Sequence, residues 1–159
     1  MGFDANYKII MIQKVQAYII RRKPHPELLL FMHDITRQLQ VIRGTVDAGE
    51  VPEDTVRREI IEESGLTYLT PSVPLGEVDI MIAGGPTRQG PLEKQRHFAF
   101  LFEATNAIPD AWTHVADGSV GEIGLKFHFA WHSIDSSLSA KLKMEEMQYF
   151  IPALLAATK

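Results

Sequence analysis

The sequence predicts an α+β fold in which a mixed β-sheet lies between helices. Apolar segments with the two-residue alternation of strands occur along much of the chain, a helical segment without internal Gly or Pro occupies residues 52–64, and a second helical segment lies near the C-terminus. We find no internal repeat, linker or low-complexity tract. A single domain over residues 1–159 is therefore expected.

The strands are predicted from apolar runs that are bounded by turn-forming residues. The first two runs, Lys14–Arg21 and Leu28–Met32, are separated by Pro24-His25-Pro26, which predicts adjacent strands joined by a short turn. A third short segment and three later strands are predicted at residues 39–42, 78–82, 97–102 and 125–131. Loops rich in helix and strand breakers are predicted at residues 84–91 and 106–124.

The helix predicted at Pro52–Ser64 has clear start and stop signals. Pro52 suits a first helical position, acidic residues follow it in the first turn, and Gly65 is suited to a left-handed C-terminal stop. Val51 is a poor N-cap residue, so fraying is expected at that end. A second helix is predicted over residues 137–156, with a kink at Pro152.

Composition excludes several classes of function. The chain has 20 acidic and 16 basic residues and a net charge of -4, so its overall field does not attract long nucleic acids. It has no cysteine, which excludes disulfides, thiolate metal sites and cysteine nucleophiles. No signal peptide is evident and no apolar run approaches the roughly 20 residues that span a bilayer, so we expect a cytoplasmic protein without a membrane partner. The sequence leaves open whether the chain forms a homodimer.

Three acidic residues of the first predicted helix point to a metal site. Glu59, Glu62 and Glu63 are spaced i, i+3 and i+4, which places their carboxylates on one helical face, where they repel one another. A hard divalent cation such as Mg²⁺ resolves this repulsion. Arg58 is spaced to pair with Glu62 and to reach back to Glu50, which fixes carboxylate orientations. The alternative is an ordinary solvated face with i, i+4 ion pairs.

The segment from Gly44 to Leu66 resembles the Nudix box, in which Gly, five residues, Glu, seven residues and Arg-Glu-apolar-x-Glu-Glu-x-Gly-apolar follow one another. Every specified position is met at its spacing, by Gly44, Glu50, Arg58, Glu59, Ile60, Glu62, Glu63, Gly65 and Leu66. The resemblance implies a Nudix-type α/β/α sandwich. It also implies a hydrolase that cleaves a pyrophosphate bond in a nucleoside triphosphate, in a nucleoside diphosphate-linked compound or in another small diphosphate.

The same resemblance implies roles for individual residues. Glu59, Glu62 and Glu63 would bind one or more Mg²⁺ or Mn²⁺ ions, and the backbone carbonyl before Gly44 is a possible further ligand. Two residues remain open as the general base: Glu59 is the first candidate, and Glu122, in the loop before the last predicted strand, is the second.

Five side chains outside the acidic cluster are candidate substrate contacts: Arg43, Arg88, Lys94, Arg96 and Trp112. The basic residues are interpreted as ligands of substrate phosphates or of a carboxylate, and the indole, with His114 nearby, as a platform for a base. Solvated loop residues and ordinary aromatic packing are the alternative interpretations.

Two functions of other classes share this fold. One is a module that binds a nucleotide or metabolite without turnover, and the intact cluster of three glutamates argues against it. The other is an isomerase of isoprenoid diphosphates, which relies on a catalytic thiol that this chain lacks.

Overall fold

The computed structural model describes residues 11–22, 24–84, 89–105, 108–118 and 123–159, which form eight strands and four helices. The strands are β1 (Met11–Arg21), β2 (Glu27–His33), β3 (Leu39–Gln40), β4 (Ile42–Thr45), β5 (Val73–Ala83), β6 (Leu92–Glu103), β7 (Ala111–Val115) and β8 (Lys126–Ser133). The helices are α1 (Pro52–Ser64), α2 (Leu138–Lys141), α3 (Glu145–Gln148) and α4 (Ile151–Ala157). Among the described residues, no helix is long and apolar enough to cross a membrane.

All eight strands belong to one mixed sheet. Its order is β5-β6-β1-β2-β8-β7, with β3 attached to β2 and β4 attached to β1. The neighbouring strands β6 and β1 run parallel, whereas β1 pairs antiparallel with both β2 and β4. The mixed sheet and the adjacent first two strands confirm the prediction from sequence.

The sheet has a hydrophobic core on each face, because side chains alternate along its strands. Val15, Ala17 and Ile19 of β1 point to the face covered by α1. Tyr18 and Ile20 point to the opposite face, where the three C-terminal helices pack. Helices on both faces of a mixed sheet make an α/β/α sandwich, as the resemblance implied.

Helix α1 has the limits that its sequence predicted. Pro52 lies in the first turn, and Val51 makes no side-chain cap. At the other end Gly65 adopts the left-handed conformation with a φ of 76° and donates its N–H to the carbonyl of Ile61. The helix therefore stops at a defined residue.

Residues 111–115 form strand β7, so the prediction of one continuous loop over residues 106–124 was wrong. β7 pairs antiparallel with β8, with Trp112 opposite Phe129 and His114 opposite Phe127. This short alternating segment is a strand because it pairs with β8, which follows in the chain. Its alternation is hard to recognise in the sequence because strand-breaking residues flank it.

The predicted helix over residues 137–156 is also wrong in being continuous. It is divided into α2, α3 and α4, and Leu142 (φ -97°, ψ 80°) ends α2. Pro152 lies in the first turn of α4, where its missing N–H costs no hydrogen bond, so it begins a helix and does not kink one. The apolar residues whose spacing suggested one helix pack three short helices onto the sheet instead.

Candidate active site

The clustered acidic residues Glu59, Glu62 and Glu63 lie on the side of α1 that approaches the sheet. Glu59 and Glu63 are each only 3% exposed, beside the core residues Val56 and Ile60, while the Glu62 side chain is 18% exposed. One oxygen of Glu63, Oε2, is buried without a hydrogen bond to the described residues, although the residue has other interactions. Burial of two carboxylates is more extensive than the sequence suggested, and it carries a desolvation cost.

Arg58 connects the carboxylates of this site. Its Nε and Nη2 donate to Glu50 at 3.0 and 2.9 Å, and its Nη1 donates to Glu59 at 3.1 Å and to both oxygens of Glu62 at 3.2 and 3.3 Å. The contacts expected from the spacing of Arg58 are therefore present. Hydrogen bonding from Arg58, with a smaller contribution from the backbone N–H of Asp47, lowers the pKa of Glu50 to about 2. The same bond to Glu50 raises the pKa of Arg58.

Two glycines make room for the carboxylates. A Cβ atom at Gly44 would collide with the carboxyl group of Glu59, and one at Gly118 would collide with that of Glu62. Gly118 also has a φ of 96°, which disfavours a side chain there. The backbone at these two positions consequently lies directly against the acidic groups.

The donor set fits a hard divalent cation. Among the described residues no three His, Asp or Glu side chains already surround a common point, and the carboxylates of Glu59 and Glu62 meet Arg58 instead. All three acids lie within two turns of one helix, so side-chain rotation alone can redirect them. Their oxygens are the ligands that Mg²⁺ and Mn²⁺ prefer.

Strand β7 closes the C-terminal end of α1. Trp112 Nε1 donates to the carbonyl of Ser64 at 3.1 Å, and His114 Nε2 lies 3.1 Å from the carbonyl of Glu62. The indole also stacks on Phe129, with a centroid distance of 5.0 Å. These contacts give Trp112 a packing role, and its interpretation as a platform for a base stays a prediction.

Arg43 lies across the sheet from the acidic cluster. Side chains alternate along β4, and Ile42 belongs to the core beneath α1, so Arg43 points to the other face. There its Nη1 donates at 2.8 Å to Glu146, whose side chain is completely buried. Gln16 and His97 extend this buried polar group, with 2.9 Å between their side-chain nitrogens. A structural ion pair thus accounts for Arg43, and its proposed contact with phosphate stays a prediction.

The other basic candidates are only partly described. Arg96 forms a two-point ion pair with Asp79 across β5 and β6, at 2.7 and 2.9 Å. Lys94 lies on the same strand, half-buried. Arg88 and Glu122 lie outside the described residues, so both interpretations rest on the sequence.

Sequence reasoning missed two contributors to the site. Gly118 lies against Glu62, and His114 was considered only as a partner of Trp112 for a base. The alternation of Trp112 and His114 was a signal for a strand with both side chains on one face. What that face touches was not readable from the local sequence.

Comparison with known sequences gives a family match over nearly the whole chain. A sequence model described as the NUDIX domain matches residues 3–154. A search of curated proteins with the sequence finds no significant match.

Solved structures share the fold at low sequence identity. An Ap4A hydrolase of C. elegans superposes with a TM-score of 0.64 at 14% identity, covering 94% of this chain and 100% of the other. A NUDIX hydrolase from Nitrosomonas europaea gives 0.64 at 20% identity, covering 94% and 92%. The dihydroneopterin triphosphate pyrophosphohydrolase of E. coli gives 0.64 at 16% identity, covering 91% and 95%.

Proposed function

Because the chain belongs to the Nudix hydrolase family, whose members cleave phosphoanhydride bonds, we propose that it is a metal-dependent hydrolase of a pyrophosphate bond in a nucleoside triphosphate or a nucleoside diphosphate-linked substrate. The observation that carries the proposal is the convergence of Glu50, Glu59 and Glu62 on Arg58, beside the buried Glu63. An ordinary solvated face does not bury two carboxylates of a helix.

Glu59, Glu62 and Glu63 would hold Mg²⁺ or Mn²⁺. The bound ion supplies neutralisation of phosphate charge and a more acidic water molecule. Arg58 keeps Glu59 and Glu62 oriented, and Glu50 holds the guanidinium from its other side. The backbone carbonyl before Gly44 remains a candidate ligand.

Glu59 is the first candidate for the general base. Its carboxylate packs against Gly44 in a nearly water-free position, on the helical face that it shares with the other two candidate metal ligands. Glu122 is the alternative base.

The substrate class rests on chemistry shared by the candidate contacts. Nucleotides carry phosphates for Arg88, Lys94 and Arg96 and a base for Trp112. The names of two structures with the same fold, an Ap4A hydrolase and a dihydroneopterin triphosphate pyrophosphohydrolase, are compatible with a substrate that contains a polyphosphate. We also propose a cytoplasmic location and a single domain over residues 1–159. Analytical sedimentation would test whether the chain forms a homodimer.

The test is release of phosphate or pyrophosphate from a panel of nucleotides in Mg²⁺ and in Mn²⁺. Glu62→Gln is the test variant, and Glu53→Gln is a matched control, because Glu53 is an exposed acid of the same helix bonded to Ser72 and Arg57. We expect turnover that chelator abolishes, that Glu62→Gln lowers and that Glu53→Gln leaves unchanged. Nucleotide binding without turnover in either metal would contradict the proposal and favour a binding module.

A further inference from the structure

At the last turn of α1 the Ser64 hydroxyl donates to the carbonyl of Ile60, and the Gly65 N–H donates to that of Ile61. The final carbonyls of a helix have no partners within it, and α1 has no basic residue in its last turn. This turn contains Glu62 and Glu63, two of the three proposed metal ligands. Any fraying there would move the ligands.

Residues in and just after β7 satisfy two of these carbonyls. The Nε1–H of Trp112 donates to Ser64, and the carbonyl of Glu62 receives the Nε2–H of His114, since a carbonyl only accepts. The backbone N–H of Asp117, just after β7, approaches the same carbonyl at 3.4 Å. Residues 112, 114 and 117, in and just after β7, therefore converge on the end of one helix.

The contact is also tight at the two glycines that flank it. A Cβ atom at Gly65 would lie 3.1 Å from the ring of His114, closer than an ordinary contact. At Gly118 the backbone lies against the carboxylate of Glu62. The segment from Trp112 to Gly118 thus touches both the main-chain carbonyl and the acidic group of the same residue.

We propose that Trp112 and His114 are positioning residues for the metal-binding end of α1, holding the last turn and with it the carboxylate of Glu62. This inference rests on the proposed function, since it assigns the purpose of the contact to metal binding.

A matched pair of tryptophans separates positioning from packing. Trp112→Phe removes the donor to Ser64 and retains a ring on Phe129. Trp131→Phe removes an indole hydrogen bond of the same length, 3.1 Å, to the carbonyl of Pro109, away from α1. His114→Ala removes the second donor, and His114→Gln keeps an N–H that can donate to Glu62.

The experiment measures Mn²⁺ affinity without substrate, together with amide hydrogen exchange over residues 62–66. We expect Trp112→Phe and His114→Ala to weaken Mn²⁺ binding about tenfold, as loss of an orienting contact does, and to speed exchange at the end of α1. Trp131→Phe should leave the Mn²⁺ affinity and the exchange rate unchanged, even if it lowers the melting temperature as much as Trp112→Phe does. His114→Gln should restore most of the affinity.

Affinities of Trp112→Phe and His114→Ala within about twofold of the parent, with exchange no faster than in Trp131→Phe, would overturn the inference. If the parent itself binds no Mn²⁺, the proposed function fails. Faster exchange in Trp112→Phe than in Trp131→Phe would then still establish that β7 holds the helix end, so the two failures are distinguishable.

Discussion

Replacing Gly44 by alanine should impair catalysis with little effect on stability. An added Cβ would approach Cδ of Glu59 about 1 Å closer than an ordinary contact of 3.4 Å, so the carboxylate must move by about that distance. Gly44 has no positive φ, so alanine introduces no backbone strain. Misplacement of a reacting group by about 1 Å costs on the order of 10²-fold in rate, which is the loss of kcat that we expect.

Gly49→Ala is the matched control, in the loop that follows β4. Gly49 has a φ of 85° and open space around its missing Cβ, so alanine there is strained but touches nothing. An alanine in the left-handed conformation costs roughly 1–2 kcal/mol of stability. In a domain of this size each kcal/mol lowers the melting temperature by about 2–4 °C.

Steady-state kinetics and thermal melts of both variants therefore should give opposite results: Gly44→Ala loses kcat and keeps its melting temperature, and Gly49→Ala does the reverse. A kcat for Gly44→Ala within about threefold of the parent would refute the reasoning, as would equal losses of kcat in the two variants.

Three further predictions concern carboxylates. Glu63→Gln should lose kcat by more than about 100-fold in saturating Mg²⁺ and, in chelator, melt no lower than the parent, because it relieves a buried charge; a lower melting temperature would mean that this carboxylate serves structure. Glu122→Gln should lower kcat by roughly 10² to 10⁴ with little change in KM if Glu122 is the base, and by less than about threefold if it is a solvated loop residue. Glu50→Gln should lower the melting temperature at neutral pH. Since Arg58 depresses the pKa of Glu50 from 4.5 to about 2, the stabilisation is complete above pH 4.5 and disappears as pH falls toward 2, where melts of parent and variant should converge; a constant difference down to that pH would contradict the assignment.

The local geometry of the acidic helix was readable from the sequence. The i, i+3 and i+4 spacing of Glu59, Glu62 and Glu63 fixes their common face once residues 52–64 are helical, and the Pro and Gly signals set the limits of that helix. Arg58 is close enough in sequence for its partner Glu62 to follow from helix geometry. These predictions needed only contacts within one or two turns.

Contacts between distant segments required the tertiary structure. Trp112 meets Ser64 across 48 residues, and Arg43 meets Glu146 across 103. In both cases the alternation along a short strand shows which side chains share a face. Which residues that face contacts depends on the order of the strands in the sheet. The sequence by itself therefore determined the acidic helix and the common face of its carboxylates, whereas the sheet order decided that β7 packs against the end of that helix and that Arg43 meets Glu146.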